Sequence, residues 1–241
     1  MRWGPAPVDE AFRFIDAVPQ DVRTSARLRS FLNVFSASLK AMAGRFEEAR
    51  ADVERARATT DDLGLELAGA TQRMDAGHVA LLASDLDAAE QAYRAGYERL
   101  GELGETGYRS TMGAGLAEVL LAQHRHGEAA RIVAEVEQVA QEDDMDPQAR
   151  TRAVRALLLS GRGEHADAER LAREAVALYA ATDYLEDHAD MLVTLARVLR
   201  TSGQDEEARG ALNEALALYE RKGHLVGAKP ARDLLSELVA S

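Results

Sequence analysis

The sequence predicts an all-α fold, a right-handed solenoid of about five and a half helical hairpins, each of roughly forty residues. Three observations carry this. A short turn-like phrase returns along the chain: "GRFEEAR" at 44–50, "SDLDAAE" at 84–90, "HRHGEAA" at 124–130, "GRGEHADAE" at 161–169 and "GQDEEAR" at 203–209. Laid over one another, these phrases bring Ala49, Ala89, Ala129, Ala168 and Ala208 into register at spacings of 40, 40, 39 and 40. Further columns keep the same register. Twelve residues upstream stand the small residues Ala37, Gly77, Ala117, Ala156 and Ala196, and ten upstream the aliphatic Leu39, Val79, Val119, Leu158 and Val198. Finally, alanine is abundant and no proline lies between Pro19 and Pro147. Alanine loses the least side-chain entropy in a helix, and proline would break the hydrogen-bond ladder.

The elements follow in order. Val8, Ala11, Phe12, Ile15 and Val18 form one apolar stripe at helical spacing, so residues 8–18 read as the second helix of an incomplete first unit (1–20). Five full hairpins are expected at 22–62, 65–102, 106–141, 147–181 and 184–221. In each, the small residue on the first helix and the alanine on the second let the two backbones approach closely. Glycine is available for the intervening turn in three phrases (Gly44, Gly163, Gly203). Acidic residues such as Glu47, Glu48, Glu206 and Glu207 then suit the positive end of the second helix. "EDDMDP" (142–147) and "ERKGHLVGAKP" (220–230) read as loops, Ser110 and Thr111 as an N-cap, and residues 226–239 as a closing helix bearing Leu234, Leu235 and Leu238. No linker divides the chain, so residues 1–241 are expected to form one domain.

The spacing matches small-x-x-(Tyr/Leu), followed by Ala-x-x-x-(Phe/aliphatic), the core of the tetratricopeptide repeat. Units near forty residues also suit HEAT-type hairpins, but the small and alanine columns favour the tetratricopeptide reading. "WGPAPVDEA" (3–11), "GRFEEARA" and "ALLASDLDAAEQAYRAGYERLGELGETGYRST" (80–111) carry a closer resemblance. The chain resembles the C-terminal repeat region of a bacterial multidomain family. There a class III adenylate/guanylate cyclase or a transcriptional-regulator module is joined to a STAND/AAA-type ATPase. The resemblance implies a sensing or partner-binding arm of a larger protein, as does the unpaired first helix. It implies no catalysis here, because the glycine-lysine phosphate loop of an ATPase is missing from the sequence.

Composition narrows the function classes. A net charge of −12 without a Lys/Arg run argues against nucleic acid as a partner. With no cysteine there is no disulfide, thiol nucleophile or cysteine zinc site. No apolar run is long enough to span a membrane, and a cytoplasmic location is expected. His124 and His126 have metal-ligand spacing, yet the register puts His124 at the turn and His126 in a half-buried packing position. Glu142, Asp143, Asp144 and Asp146 lack the glycine and distal glutamate of an EF-hand loop. No cofactor, metal or catalytic residue is assigned.

What remains is binding. The first-helix positions expected to face a concave groove are His78, Leu82, Thr111, Glu118, Arg150, Arg197 and Arg200. Arg197 and Arg200 are suited to gripping a carboxylate. A non-enzymatic module holding a protein or peptide partner in that groove is the primary expectation, and a small-molecule-sensing solenoid the alternative. Val8, Phe12 and Ile15, with no helix before them, are expected to support self-association or docking of another segment.

Overall fold

The computed structural model describes residues 4–141 and 143–240; Trp3 and Glu142, named above, lie outside them. The described residues hold twelve α-helices, one 3-10 turn (Val22–Thr24) and no strand. A short α1 (Val8–Asp16) precedes five hairpins, which are α2 (Ala26–Met42) with α3 (Phe46–Asp62), α4 (Glu66–Leu82) with α5 (Leu86–Glu102), α6 (Gly107–Ala122) with α7 (His126–Val139), α8 (Met145–Ser160) with α9 (His165–Ala180), and α10 (Leu185–Thr201) with α11 (Asp205–Lys222). α12 (Leu225–Ala240) closes the series. Each hairpin packs on the first helix of the next, as repeats without a self-sufficient core must.

The register columns are where helices meet. Ala37, Ala117, Ala156 and Ala196 are fully buried, as are the five alanines opposite them on the second helices. In the second hairpin Gly77 replaces alanine because the neighbouring column holds Tyr93. A Cβ at Gly77 would lie 2.6 Å from the Tyr93 ring, and one at Gly115 equally close on its other side. Tyr93 thus lies between two bare backbones.

The turns share one conformation. Gly44, Gly163 and Gly203 take φ of 77°, 80° and 76°, and the two turns without glycine follow them, Ser84 at 59° and His124 at 61°. The next amide closes each turn, as when Arg45 N donates to the Lys40 carbonyl and Arg125 N to that of Leu120. His126 begins α7 with its side chain exposed, so the packing role expected for it is not filled. The reason is local: the first residue of the helix precedes the face that meets α6.

Two expected loops are mostly helix. α8 already starts at Met145, with Asp146 and Pro147 in its first turn, where proline lacks only an amide that would have no intrahelical partner. Gly223 and His224 alone separate α11 from α12, and Pro230 sits in the second turn of α12. Ser110 and Thr111 are not a cap either. α6 begins at Gly107, and the Glu105 carboxylate accepts from the amides of Gly107 (3.1 Å) and Arg109 (3.2 Å). Ser110, inside the helix, donates to the Gly107 carbonyl.

The superhelix winds far enough for its two ends to meet. Lys222 at the end of α11 is fully buried, and its Nζ donates to the carbonyls of Gly4 (2.8 Å) and Ala6 (3.0 Å). A Cβ at Gly223 would touch Val8, and one at Gly44 would touch Val226 of α12. Val8 and Ile15 are buried and Phe12 half-buried, packed with Leu39, Met42, Phe35 and Leu82. Arg45 lies over the Phe12 ring, 5.5 Å from its centre. The apolar stripe of α1 is therefore covered within the chain.

Candidate functional site: a polar lumen and an outer cleft

The inner faces of the first helices bring a cluster of charged residues together. On α8, Arg150 donates to Glu118 of α6 (2.8 Å), Asp187 of α10 (3.0 Å) and Asp146 one turn back (3.0 Å). Tyr179 of α9 donates to Asp146, and Tyr219 of α11 to Asp190 of α10. Across the axis, His78 Nε2 of α4 lies 3.2 Å from Glu186 Oε1. His224 Nε2 lies 3.2 Å from the same oxygen. On the adjoining turn of α4, Asp75 accepts from Ser38 of α2 (3.3 Å).

The cluster's electrostatics follow from burial and its few cations. Burial disfavours the charge on Arg150, but Glu118, Asp146 and Asp187 outweigh it and hold the guanidinium well above its ordinary value. Burial pushes the Glu118 carboxyl up to about 7 despite Arg150 beside it. Asp190 is raised by burial and by the neighbouring Glu186 charge. Glu186 is itself buried, yet the two histidines hold it well below the usual carboxylate range. Burial lowers the His224 ring, while the hydrogen bond and charge of Glu186, Asp190 and the Met42 carbonyl raise it further, for a net upward shift.

Of the expected groove residues, the structure brings His78, Glu118 and Arg150 into this one cluster. His78 is buried, and Glu118 and Arg150 pair with each other. Leu82 and Thr111 are half-buried, and Leu82 packs against α1 and α2. Arg197 and Arg200 are exposed on α10, where Arg200 pairs with Glu237 of α12. Sequence reasoning missed Asp146, Tyr179, Glu186, Asp187, Asp190, Tyr219 and His224. The run "LEDHAD" (185–190) held the available signal, an acidic stretch whose first acids are buried rather than solvated. Among the described residues no group of three or more His, Cys, Asp or Glu is arranged to hold a metal ion. None of the described helices is long and apolar enough to cross a membrane.

Open space lies on the other side of the wall. A cleft of about 1090 Å³ runs between α3 and α5 with α4 as its floor. It exists because the second hairpin carries alanine at five register positions: Ala76, Ala80, Ala88, Ala92 and Ala95. The third hairpin has Leu116, Leu120, Glu128, Ile132 and Glu135 there, and the fourth Arg155, Leu159, Asp167, Leu171 and Glu174. The corresponding cleft over α8 is accordingly smaller, about 470 Å³.

No protein-family model matches the chain, and no curated protein matches it. Among solved structures it is similar to BtubC (BKLC) from P. vanneervenii, with a TM-score of 0.58 at 16% identity over 88% of this chain and 86% of that one. It is also similar to a Podosopora anserina protein assigned to the kinesin light chains, which has nearly identical TPR-like repeats. There the TM-score is 0.52 at 18% identity, over 80% of this chain and 95% of the other. The shared feature is the fold: an all-helical, tetratricopeptide-like solenoid.

Proposed function

We propose that the chain is a non-enzymatic protein-interaction module whose partner helix lies in the cleft between α3 and α5. The carrying observation is the row of five alanines at positions that other hairpins fill with larger side chains. α4 has 17 residues, so the floor is roughly 25 Å long, enough for four turns of a partner helix. Val53, Val79 and the alanines offer an apolar floor to leucine- or phenylalanine-sized side chains at i, i+4 and i+7. Where α3 and α5 end, Asp61 and Glu102 pair with Arg57 and Arg99, and Glu98 stands beside the negative poles of both helix dipoles, so that end of the cleft suits a basic or N-terminal end of the partner. The concave side expected from the sequence is occupied by the polar cluster, which favours the outer cleft. The family resemblance further supports a regulatory arm of a larger signalling or transcription-regulating protein.

The test is selection from a displayed library of helical peptides about 18 residues long. Wild type is expected to enrich peptides with an aliphatic stripe and a basic N-terminal end. The variant Ala92→Leu/Ala95→Glu, which installs the residues of the fourth hairpin at half-buried positions, is expected to bind them at least about tenfold more weakly. Equal binding by that variant, with loss instead in Arg197→Glu/Arg200→Glu, would move the site to α10 and overturn the proposal.

A further inference from the structure

Glu186 of α10 is a buried carboxylate that meets histidines from two distant parts of the superhelix. It is 1% exposed, and His78 from the second hairpin and His224 from the α11–α12 link converge on the same oxygen. Around them stand Asp75 and Ser38 (α4 and α2), Asp187 and Asp190 (α10), Arg150 and Asp146 (α8), Glu118 (α6), Tyr179 (α9), and Tyr219 and Lys222 (α11). His224 has a second task besides Glu186. The Gly227 amide donates to Nδ1 at 3.0 Å, capping α12, and this requires a bare nitrogen. The Met42 carbonyl of α2 also favours the protonated ring.

We propose that the His78–Glu186–His224 clasp is a proton-operated latch on the closed superhelix. With His224 protonated, its charged ring holds Glu186 from the side of the α11–α12 link while His78 meets the same oxygen from α4. With that proton gone, the clasp loses its charge on the side of the α11–α12 link, while Nδ1 keeps the Gly227 amide that it already accepts in this structure. Glu186 then faces a neutral ring, and the polar cluster gains access to solvent between α1–α2 and α11–α12. The shift in His224 and the raised Glu118 and Asp190 act in the same sense, since all three favour the protonated, closed form. The latch is independent of the cleft between α3 and α5.

The chain has no cysteine, so Asp9→Cys/Lys229→Cys places two spin labels on exposed positions of α1 and α12 without other changes. Pulsed electron resonance would then read the distance between the chain ends from about pH 5.5 to about pH 8.5, the range over which histidine titrates. One short distance is expected at the acid end. A second, longer population should grow at least about fivefold toward the alkaline end. His224→Gln, which cannot take up the proton, should show the longer population throughout, and Glu118→Gln should keep the pH response. Circular dichroism confirms that each variant is folded. If His224→Gln does not fold, Glu186→Gln replaces it and should flatten the response. An unchanged distance in wild type, or a pH response that survives in His224→Gln and Glu186→Gln, would overturn the latch.

Discussion

At the residue scale, the five turns that join the helices of each hairpin show how sequence and backbone conformation part company. Three of the five phrases carry glycine, and the left-handed conformation was legible from them. Ser84 and His124 adopt the same φ with a side chain attached. A non-glycine residue there costs about 1–2 kcal/mol, of which glycine's greater freedom in the unfolded chain returns about half. Ser84→Gly and His124→Gly should therefore each stabilise the protein by about 0.5–1 kcal/mol in urea titration, with an unchanged slope. The same scale separates His124, expected and found at the turn, from His126, expected half-buried and found exposed. His-x-His spacing suggests a metal only in an extended segment, and here the pair spans a helix start, with ring centres 6.2 Å apart.

At the scale of elements, hairpin positions and the small-residue seams were readable because each depends on residues close in sequence. The two links read as loops were not, since Pro147 and Pro230 sit in early turns whose tolerance for proline depends on where the helix starts. Still less legible was the polar cluster. Glu186 meets His78 only because the superhelix winds through the two hairpins between theirs, and a small change in each packing angle would separate them. The α1 segment is held by one such distant contact. Lys222→Met removes two charge-assisted hydrogen bonds to the Gly4 and Ala6 carbonyls while keeping the apolar stem. It should cost about 2–3 kcal/mol and raise amide exchange selectively over residues 4–16. Uniform acceleration throughout the chain would contradict that assignment.

For the whole molecule, protonation and stability are linked in an unusual direction. His224 is raised in the folded state, so its contribution is complete below its unfolded pKa and is lost as pH rises through the folded one. The folded form also retains a proton on Glu118 up to about 7, from an ordinary value of 4.5, and more of one on Asp190. Stability from these groups falls as pH rises from about 5 toward 8. Glu186 works the other way, but its contribution disappears only below the usual carboxylate range. The melting temperature should thus peak in mild acid and decline by pH 8, and Glu118→Gln should flatten the decline. A melting temperature that rises steadily from pH 5 to 8 would contradict this linkage.

The contact of Lys222 with the first residues has one more consequence. A linear solenoid frays independently at its two ends, and a repeat trimmed from either leaves the rest standing, provided a polar cap remains. Here each end serves as the other's cap. Shortening the chain on one side would therefore remove partners from the other as well, so the protein behaves as a joined ring, although its sequence is written as a row of units.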